Sequence, residues 1–173
     1  MATDKIELEI VTPKGLALKA SVDEVTAPSV NGEFGIMPGH LPVLVALHTG
    51  VVTYRIGNEA KKVAVGEGFA EGGPNKLLVL TEDFIDRDAV DPPAVRSQLA
   101  EVEAKLEKAT QAADAADAEA TRLLVIRENW LAAQLELIGD PPAPTMHPVA
   151  DPEPEDEENA VIVEGEGGSE PSA

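Results

Sequence analysis

The chain contains no cysteine, few aromatic residues and few basic ones. Without cysteine it can form neither a disulfide framework nor a zinc ribbon, and it has no thiol nucleophile. Its 173 residues include three Phe, one Trp and one Tyr, which disfavours a protein that stacks nucleic-acid bases. A net charge of −19 argues against binding to phosphate backbones or anionic lipid. The expected partners are therefore proteins and not nucleic acids.

The remaining composition predicts a core made of aliphatic side chains. A chain of this length can bury such a core, which must consist mainly of Val, Leu, Ile and Ala. Met1–Lys5 shows neither a signal-peptide pattern nor an Arg-rich transit pattern, and no stretch approaches the length of a membrane span. We expect no direct membrane insertion, so any membrane association has to come through partners.

Residues 1–88 form the first predicted domain, because they carry short apolar or alternating runs broken by Gly, Pro and Asn. In Ile6–Ile10 the even-numbered residues are apolar and are expected to face a core. Close-spaced strands without helices between them predict a sandwich or barrel. The predicted strands are 6–10, 17–20, 21–27, 43–47, 51–56, 62–65 and 76–80.

Residues 89–139 form the second predicted domain, a pair of helices. Asp91 is the predicted N-cap of the first helix, and its apolar stripe is Val95, Leu99, Val102 and Leu106. The second helix is predicted from near Asp117 to Ile138. Its two apolar stripes are Leu123, Ile126, Trp130, Ala133 and Leu137, and Leu124, Leu131, Leu135 and Ile138.

Three questions about this pair stay open at the level of sequence. Residues 110–116 are compatible with a turn or with continuing helix, so the pair is either a compact hairpin or one extended helix. The stripe that contains Leu131 either packs on the β domain or alternates between that domain and other proteins. Trp130 either fills the seam of the hairpin or serves as an apolar wedge in a partner.

Residues 140–173 form a predicted disordered tail. They include ten acidic residues and seven prolines but no Lys or Arg, so they cannot bury enough apolar surface to offset the entropy lost on ordering.

Residues 33–42, which we call the Pro-Gly-His segment, are the most informative part of the sequence. Their order is Glu-Phe-Gly-Ile-Met-Pro-Gly-His-Leu-Pro. Pro38 and Pro42 restrict φ, whereas Gly35 and Gly39 permit angles or close approaches that a Cβ would forbid. We expect a fixed turn that suits protein docking.

This segment resembles the signature turn of the epsilon subunit of bacterial F-type ATP synthases. Three further runs match that family in order: Ile10–Pro13, Gly66–Phe69 and Leu78–Thr81. The resemblance covers residues 5–138 and implies a β-sandwich of about ten strands, followed by a two-helix hairpin. It implies a non-catalytic rotor subunit of the central stalk, peripheral on the cytoplasmic face of the bacterial cell membrane.

The resemblance also implies partners and contact residues. The expected partners are the gamma subunit, the membrane rotor ring of c subunits and, transiently, the catalytic alpha/beta head. The family's helices inhibit ATP hydrolysis in many members, which makes this pair a candidate brake. The implied ring-contact residues are Glu33, Phe34, Gly35, Met37, Pro38, Gly39 and His40, and the candidate regulatory residues are Arg122, Arg127, Trp130, Leu131 and Leu135.

We expect no catalytic residue, cofactor or metal. The histidines at 40, 48 and 147 lack neighbours at metal-ligand spacing, and there is no dinucleotide or phosphate-loop fingerprint. Some family members bind ATP through a motif arginine whose position is occupied by Ala94 in this chain, and Arg96 comes two places late. The alternative function is a stand-alone β recognition module with a helical dimerisation hairpin.

Overall fold

The computed structural model describes residues 5–112 and 118–143. Ten strands are followed by a short 3-10 helix and two α-helices. The strands are β1 Ile6–Thr12, β2 Gly15–Val22, β3 Glu24–Ser29, β4 Gly32–Ile36, β5 Val43–Leu47, β6 Gly50–Ile56, β7 Glu59–Val65, β8 Gly68–Gly72, β9 Lys76–Thr81 and β10 Phe84–Asp86. The 3-10 helix is Arg87–Ala89, α1 is Pro92–Ala112 and α2 is Ala118–Ile138.

The strands form one continuous sheet that folds over itself into a sandwich. Its order is β10-β7-β6-β3-β5-β8-β9-β1-β2, and β4 pairs only with β3. All strand pairs are antiparallel except β1 with β9. The predicted mainly β domain of about ten strands, followed by helices, is confirmed.

The core of the sandwich is aliphatic, as the composition predicts. All strands except β10 contribute a buried side chain to it. The alternation in β1 has the expected orientation, because Ile6, Leu8 and Ile10 are completely buried. Each such side chain contributes about 1.5–3 kcal/mol through burial.

Sequence reasoning located seven strand regions but misplaced some boundaries. The predicted run 21–27 is divided between β2, which ends at Val22, and β3, which begins at Glu24. Strands β4, β8 and β10 were not predicted as strands. Both β4 and β8 begin with glycine and contain little β-branched sequence, so their pairing depends on neighbouring strands.

Both helices end at local signals that the sequence contains. The carboxylate of Asp91 accepts a hydrogen bond from the Ala94 N–H at 3.3 Å, which confirms Asp91 as the cap of α1. After α2, Gly139 has φ = 87°, and its N–H donates to the Glu136 carbonyl. The Asp140 N–H donates to the Leu135 carbonyl at 3.0 Å, which completes a Schellman cap.

The two helices pack against each other as a compact hairpin. Its seam contains the predicted stripe of α1, Val95, Leu99, Val102 and Leu106, together with Leu131 and Leu135 of α2. Leu124 and Ile138 also pack there. The interpretation that this stripe of α2 packs on the β domain is therefore wrong, because it forms the hairpin seam.

The other stripe of α2 attaches the hairpin to the β domain. Trp130, Ala133 and Leu137 form a buried cluster with Ala64 of β7, and Val51 and Ile85 pack against it. We call this cluster the docking patch. Leu123 of the same stripe does not join it and is 57% exposed. Trp130 therefore does not fill the hairpin seam.

The predicted tail, residues 140–173, lies outside the described residues from 144 onward. No helix in the described part of the chain is long and apolar enough to cross a membrane.

Candidate functional site: two exposed surfaces of the β domain

The Pro-Gly-His segment is part strand and part loop. Glu33–Ile36 belongs to β4, so the prediction of one continuous turn is wrong for these residues. Ile36 is 1% exposed, and Phe34 packs against the core. Because the side chains of Phe34 and Ile36 are held in the core, residues 37–42 leave the sandwich in a defined direction.

Hydrogen bonds hold the loop that follows β4. Gly39 has φ = 83°, which favours glycine, and its N–H donates to the Pro74 carbonyl at 2.8 Å. The His40 N–H donates to the Met37 carbonyl at 3.1 Å. The loop is therefore tied to the β8–β9 turn as well as to itself, as a fixed docking surface requires.

The imidazole of His40 is also used within this loop. Its Nδ1 lies 2.7 Å from the carbonyl oxygen of Leu41, which can only accept, so Nδ1 carries the proton. In the neutral ring Nε2 is then the acceptor. The Nδ1–H of His40 is thus used within the loop, and this hydrogen bond fixes the orientation of the ring. Nε2 is the nitrogen that can accept a hydrogen bond from another group.

Glu33 and His40 lie towards opposite ends of β4. Glu33 is exposed and pairs in register with Pro28, near the β3–β4 turn. His40 is half-buried and follows Ile36, which pairs with Val25. Roughly 10 Å of strand separate Glu33 from Ile36. The two side chains therefore offer separate polar contacts.

The loop also exposes apolar side chains on either side of His40. Met37 is 56% exposed and Leu41 is 79% exposed. Pro38 is half-buried and Gly39 is exposed. The loop surface therefore combines a thioether, a branched alkyl group and a fixed imidazole.

A second apolar surface runs across the outer face of the sheet. The strand registers align Ala46 with Phe69, Phe69 with Leu80, Leu80 with Val11, and Val11 with Leu16. We call these five residues the apolar row. Phe69 is 56%, Leu80 48% and Leu16 59% exposed, which is unusual for a row of large side chains on one face.

The apolar row also borders a shallow cavity of about 290 Å³. Its walls are formed by Val11–Pro13 on one side and by Phe69 and Leu80 on the other. Three members of the row, Val11, Phe69 and Leu80, lie in the runs that match the family, but those runs do not predict that the residues form a row. Its members are scattered through five strands, and only the sheet registers could have revealed it.

A charged cluster flanks the row on the same face. The Lys19 Nζ lies 2.7 Å from a carboxylate oxygen of Glu9, and the Lys76 Nζ lies 2.5 Å from the other. Lys19 also approaches Glu7 at 3.1 Å. A hydrogen bond from Lys19, and to a smaller extent one from Lys76, lowers the pKa of Glu9 to about 2. The Glu9 carboxylate therefore stays charged at neutral pH.

The candidate regulatory residues of α2 differ in their accessibility. Arg122 is exposed, and the Arg127 guanidinium donates to the Gln98 side-chain oxygen at 2.5 Å. Trp130 lies in the docking patch, whereas Leu131 and Leu135 lie in the seam. In the compact hairpin, the apolar candidates are therefore covered by this chain itself.

The region that corresponds to the family's ATP motif has a structural role here. Asp91 caps α1, and Val95 is buried in the hairpin seam. Arg96 forms an ion pair with Asp140, with Nε 3.0 Å from the carboxylate oxygen. These contacts join the beginning of α1 to the end of α2.

The β-sandwich domain belongs to the class of ATP synthase delta/epsilon-type subunits. The family model for the β-sandwich domain of the ATP synthase delta/epsilon chain matches residues 5–87. One chain of the Euglena gracilis mitochondrial ATP synthase structure (OSCP/F1/c-ring, rotational state 1) has the same fold. Its TM-score is 0.64 at 20% identity, over 77% of this chain and 80% of that chain.

Sequence relatives identify the family more narrowly. The ATP synthase epsilon chain of Rhodospirillum rubrum is 35% identical over 129 residues, which cover 74% of this chain and 95% of the relative. ATP synthase epsilon chain 2 of Syntrophotalea carbinolica is 38% identical over 108 residues, 62% of this chain and 78% of the relative. The chain belongs to the epsilon family of F-type ATP synthases, whose members are central-stalk subunits.

Proposed function

We propose that this chain clamps the gamma subunit to the membrane rotor ring, so that ion-driven rotation of the ring reaches the catalytic head. It would do so without catalysing a reaction itself, at the cytoplasmic face of the bacterial membrane. The observation that carries the proposal is the presence of two different exposed surfaces on one rigid sandwich.

The two surfaces lie towards opposite ends of the same strands. In β8, Phe69 belongs to the apolar row, whereas Gly72 pairs with Val43, directly after the Pro-Gly-His segment. A clamp needs this arrangement, because two partners must bind at once without competing. We assign the apolar row to gamma and the Pro-Gly-His segment to the ring.

The chemistry of each surface fits its assigned role. Completing the burial of Phe69, Leu80 and Leu16 would contribute roughly 1–2 kcal/mol each, enough to offset part of the entropy lost on association. The Pro-Gly-His segment offers fewer apolar atoms but oriented polar groups at Glu33 and His40. It suits specific contact with polar loops, because a hydrogen-bonded loop loses little freedom on binding.

We further propose that the helical hairpin is a regulatory element that contacts the alpha/beta head only after it leaves the β domain. Trp130 is covered by the β domain, so it can enter a partner only after the hairpin leaves that domain. Leu131 and Leu135 are covered by α1, so they can do so only if the hairpin also opens. The hairpin also buries its own seam within one chain.

Binding to gamma tests the assignment of the apolar row. In Phe69→Asp, a charge replaces the aromatic side chain of the row, and we expect the affinity for purified gamma to fall at least tenfold. Leu123→Asp is the matched control, because Leu123 is similarly exposed but lies on α2. Equal affinities for gamma of the two variants would contradict the assignment.

Truncation tests the regulatory role. The complete ATP synthase assembled with this chain is compared with the enzyme assembled with a chain that ends at Asp88. If the helices act as a brake, ATP hydrolysis rises in the truncated enzyme. An unchanged hydrolysis rate, with intact assembly, would argue against inhibition by these helices.

A further inference from the structure

A cavity of about 550 Å³ lies between the β domain and the end of α2. It exists because β10 pairs with β7 only at Val63–Val65, so the Glu59–Lys62 part of β7 has no strand neighbour on that side in the described ranges. The 3-10 helix that follows β10 and the last turn of α2 form the remaining walls. A molecule in this cavity therefore contacts the β domain and the helical hairpin at once.

The side chain of Tyr54 forms part of the cavity wall. Tyr54 is 5% exposed, and its ring packs in the core of the sandwich. Its hydroxyl has no hydrogen bond to another residue in the part of the chain that the structure describes. Buried tyrosine hydroxyls normally have a partner, so this one calls for an explanation.

The electrostatic environment of this hydroxyl is negative. Burial, and then the charges of Asp86 and Glu59, raise the pKa of the Tyr54 phenol, and no basic side chain acts in the opposite direction. Both carboxylates line the cavity, so the hydroxyl lies at the wall that they share. A positively charged group with N–H donors fits beside Tyr54 better than an anion does.

The end of α2 adds negative potential on the other side of the cavity. Glu136 and Gly139 line it there, and Asp88 of the 3-10 helix lies in the same lining. The last turn of α2 contains no basic residue to balance the partial negative charge of a helix C-terminus. This second wall therefore also favours a cation.

The other charges of the lining narrow the class of cation. The lining contains four acidic and three basic side chains, and the basic ones, Lys61, Lys62 and Arg87, are exposed and long enough to turn their charged ends to water. Within the described residues, no three acidic or histidine side chains are placed to hold a metal ion. Carboxylates on two separate walls suit an elongated organic cation.

We infer that this cavity, which we call the amine site, binds an organic diamine. One ammonium group donates hydrogen bonds to the Tyr54 hydroxyl and the Asp86 carboxylate, and the other lies beside Glu136 at the end of α2. Because Asp86 belongs to the β domain and Glu136 to the hairpin, the diamine binds only while the hairpin is docked, and it stabilises that form. The site goes beyond the proposed function, since it needs neither gamma nor the ring.

Calorimetric titration of the full chain with butane-1,4-diamine tests the amine site. The titration is done in about 0.15 M salt, which screens nonspecific attraction to an acidic protein. We expect saturable binding of one diamine per chain and a thermal unfolding midpoint that rises with diamine concentration.

Three variants test which groups bind the diamine. Tyr54→Phe removes the hydroxyl but keeps the packed ring, and we expect the dissociation constant to rise at least fivefold. In Asp86→Asn it should rise at least tenfold, because a charged acceptor is lost. Glu101→Gln is the matched control, since it removes a charge at an exposed position of α1 outside the cavity, and it should bind like the wild type.

Several outcomes would overturn the inference. They are the absence of saturable binding by the wild-type chain, equal binding by the wild type, Tyr54→Phe and Asp86→Asn, and displacement of the diamine by an equal concentration of Mg²⁺. Should a variant lose stability, NMR of the wild-type chain decides, because Tyr54 is its only tyrosine. The ring signals of Tyr54 should shift on titration with the diamine, and unchanged signals overturn the inference. None of these outcomes affects binding to gamma or the ring, so the proposed function is tested separately.

Discussion

The docking patch allows the attachment of the helical hairpin to be measured separately from the stability of the β domain. Ala64 is completely buried, and its neighbours Val63 and Val65 face the sandwich core while Ala64 faces Trp130. Ala64→Asp therefore places a carboxylate against the hairpin without entering the main core.

The magnitude follows from the burial of the patch. Trp130 is 8% exposed and Leu137 is 2% exposed, so together they contribute about 3–6 kcal/mol to docking. An uncompensated buried carboxylate costs several kcal/mol, which is comparable with this gain. We expect most Ala64→Asp molecules to release the hairpin instead of burying the charge.

The assay uses Trp130, which is the only tryptophan of the chain. Its emission should shift to the red in Ala64→Asp and become more accessible to acrylamide, while far-UV circular dichroism retains the β signal. Ala17→Asp, the same substitution at an exposed position of β2, should leave the emission unchanged. A blue, protected emission in Ala64→Asp would refute this account of docking.

Three further predictions concern the stability of the fold. Leu131→Ala should lower the free energy of helix unfolding by about 2–5 kcal/mol in urea, because it empties the hairpin seam; a loss below about 1 kcal/mol would contradict that packing. The lowered pKa of Glu9 contributes stability that is present above pH 4.5 and lost as the pH falls towards 2, so Glu9→Gln should weaken the acid dependence of the urea midpoint in that window; an unchanged dependence would show that the ion pairs of Glu9 with Lys19 and Lys76 do not stabilise the fold. Gly68→Ala should destabilise the sandwich by at least about 2 kcal/mol, because its Cβ would overlap the Leu80 carbonyl oxygen, and a neutral effect in thermal unfolding would show that β8 can move.

Local signals in the sequence were sufficient for seven strand regions and both helices. The alternation of Ile6, Leu8 and Ile10 specifies which face of β1 is buried, and Asp91 specifies where α1 begins. Strand β4 has no such signal, because two of its five residues are glycines. Its position depends on pairing with β3, a long-range property that local propensity does not contain.

The partners of an apolar surface could not be predicted from periodicity. The sequence of α2 contains two apolar stripes, but it does not state which one meets α1 and which one meets the β domain. The structure assigns Leu131 to the seam and Trp130 to the docking patch, the reverse of the simplest expectation. The apolar row was likewise invisible, because Leu16 and Phe69 become neighbours in one row only through the sheet registers.

The clamp itself is tested most directly by restoring a depleted enzyme. Membranes whose ATP synthase lacks its epsilon subunit are supplied with the full chain from the same organism, and proton-driven ATP synthesis is measured. The account predicts that the wild-type chain restores synthesis and that Phe69→Asp does not, whereas Leu123→Asp does. Failure of the wild-type chain to restore synthesis, or full restoration by Phe69→Asp, would contradict it.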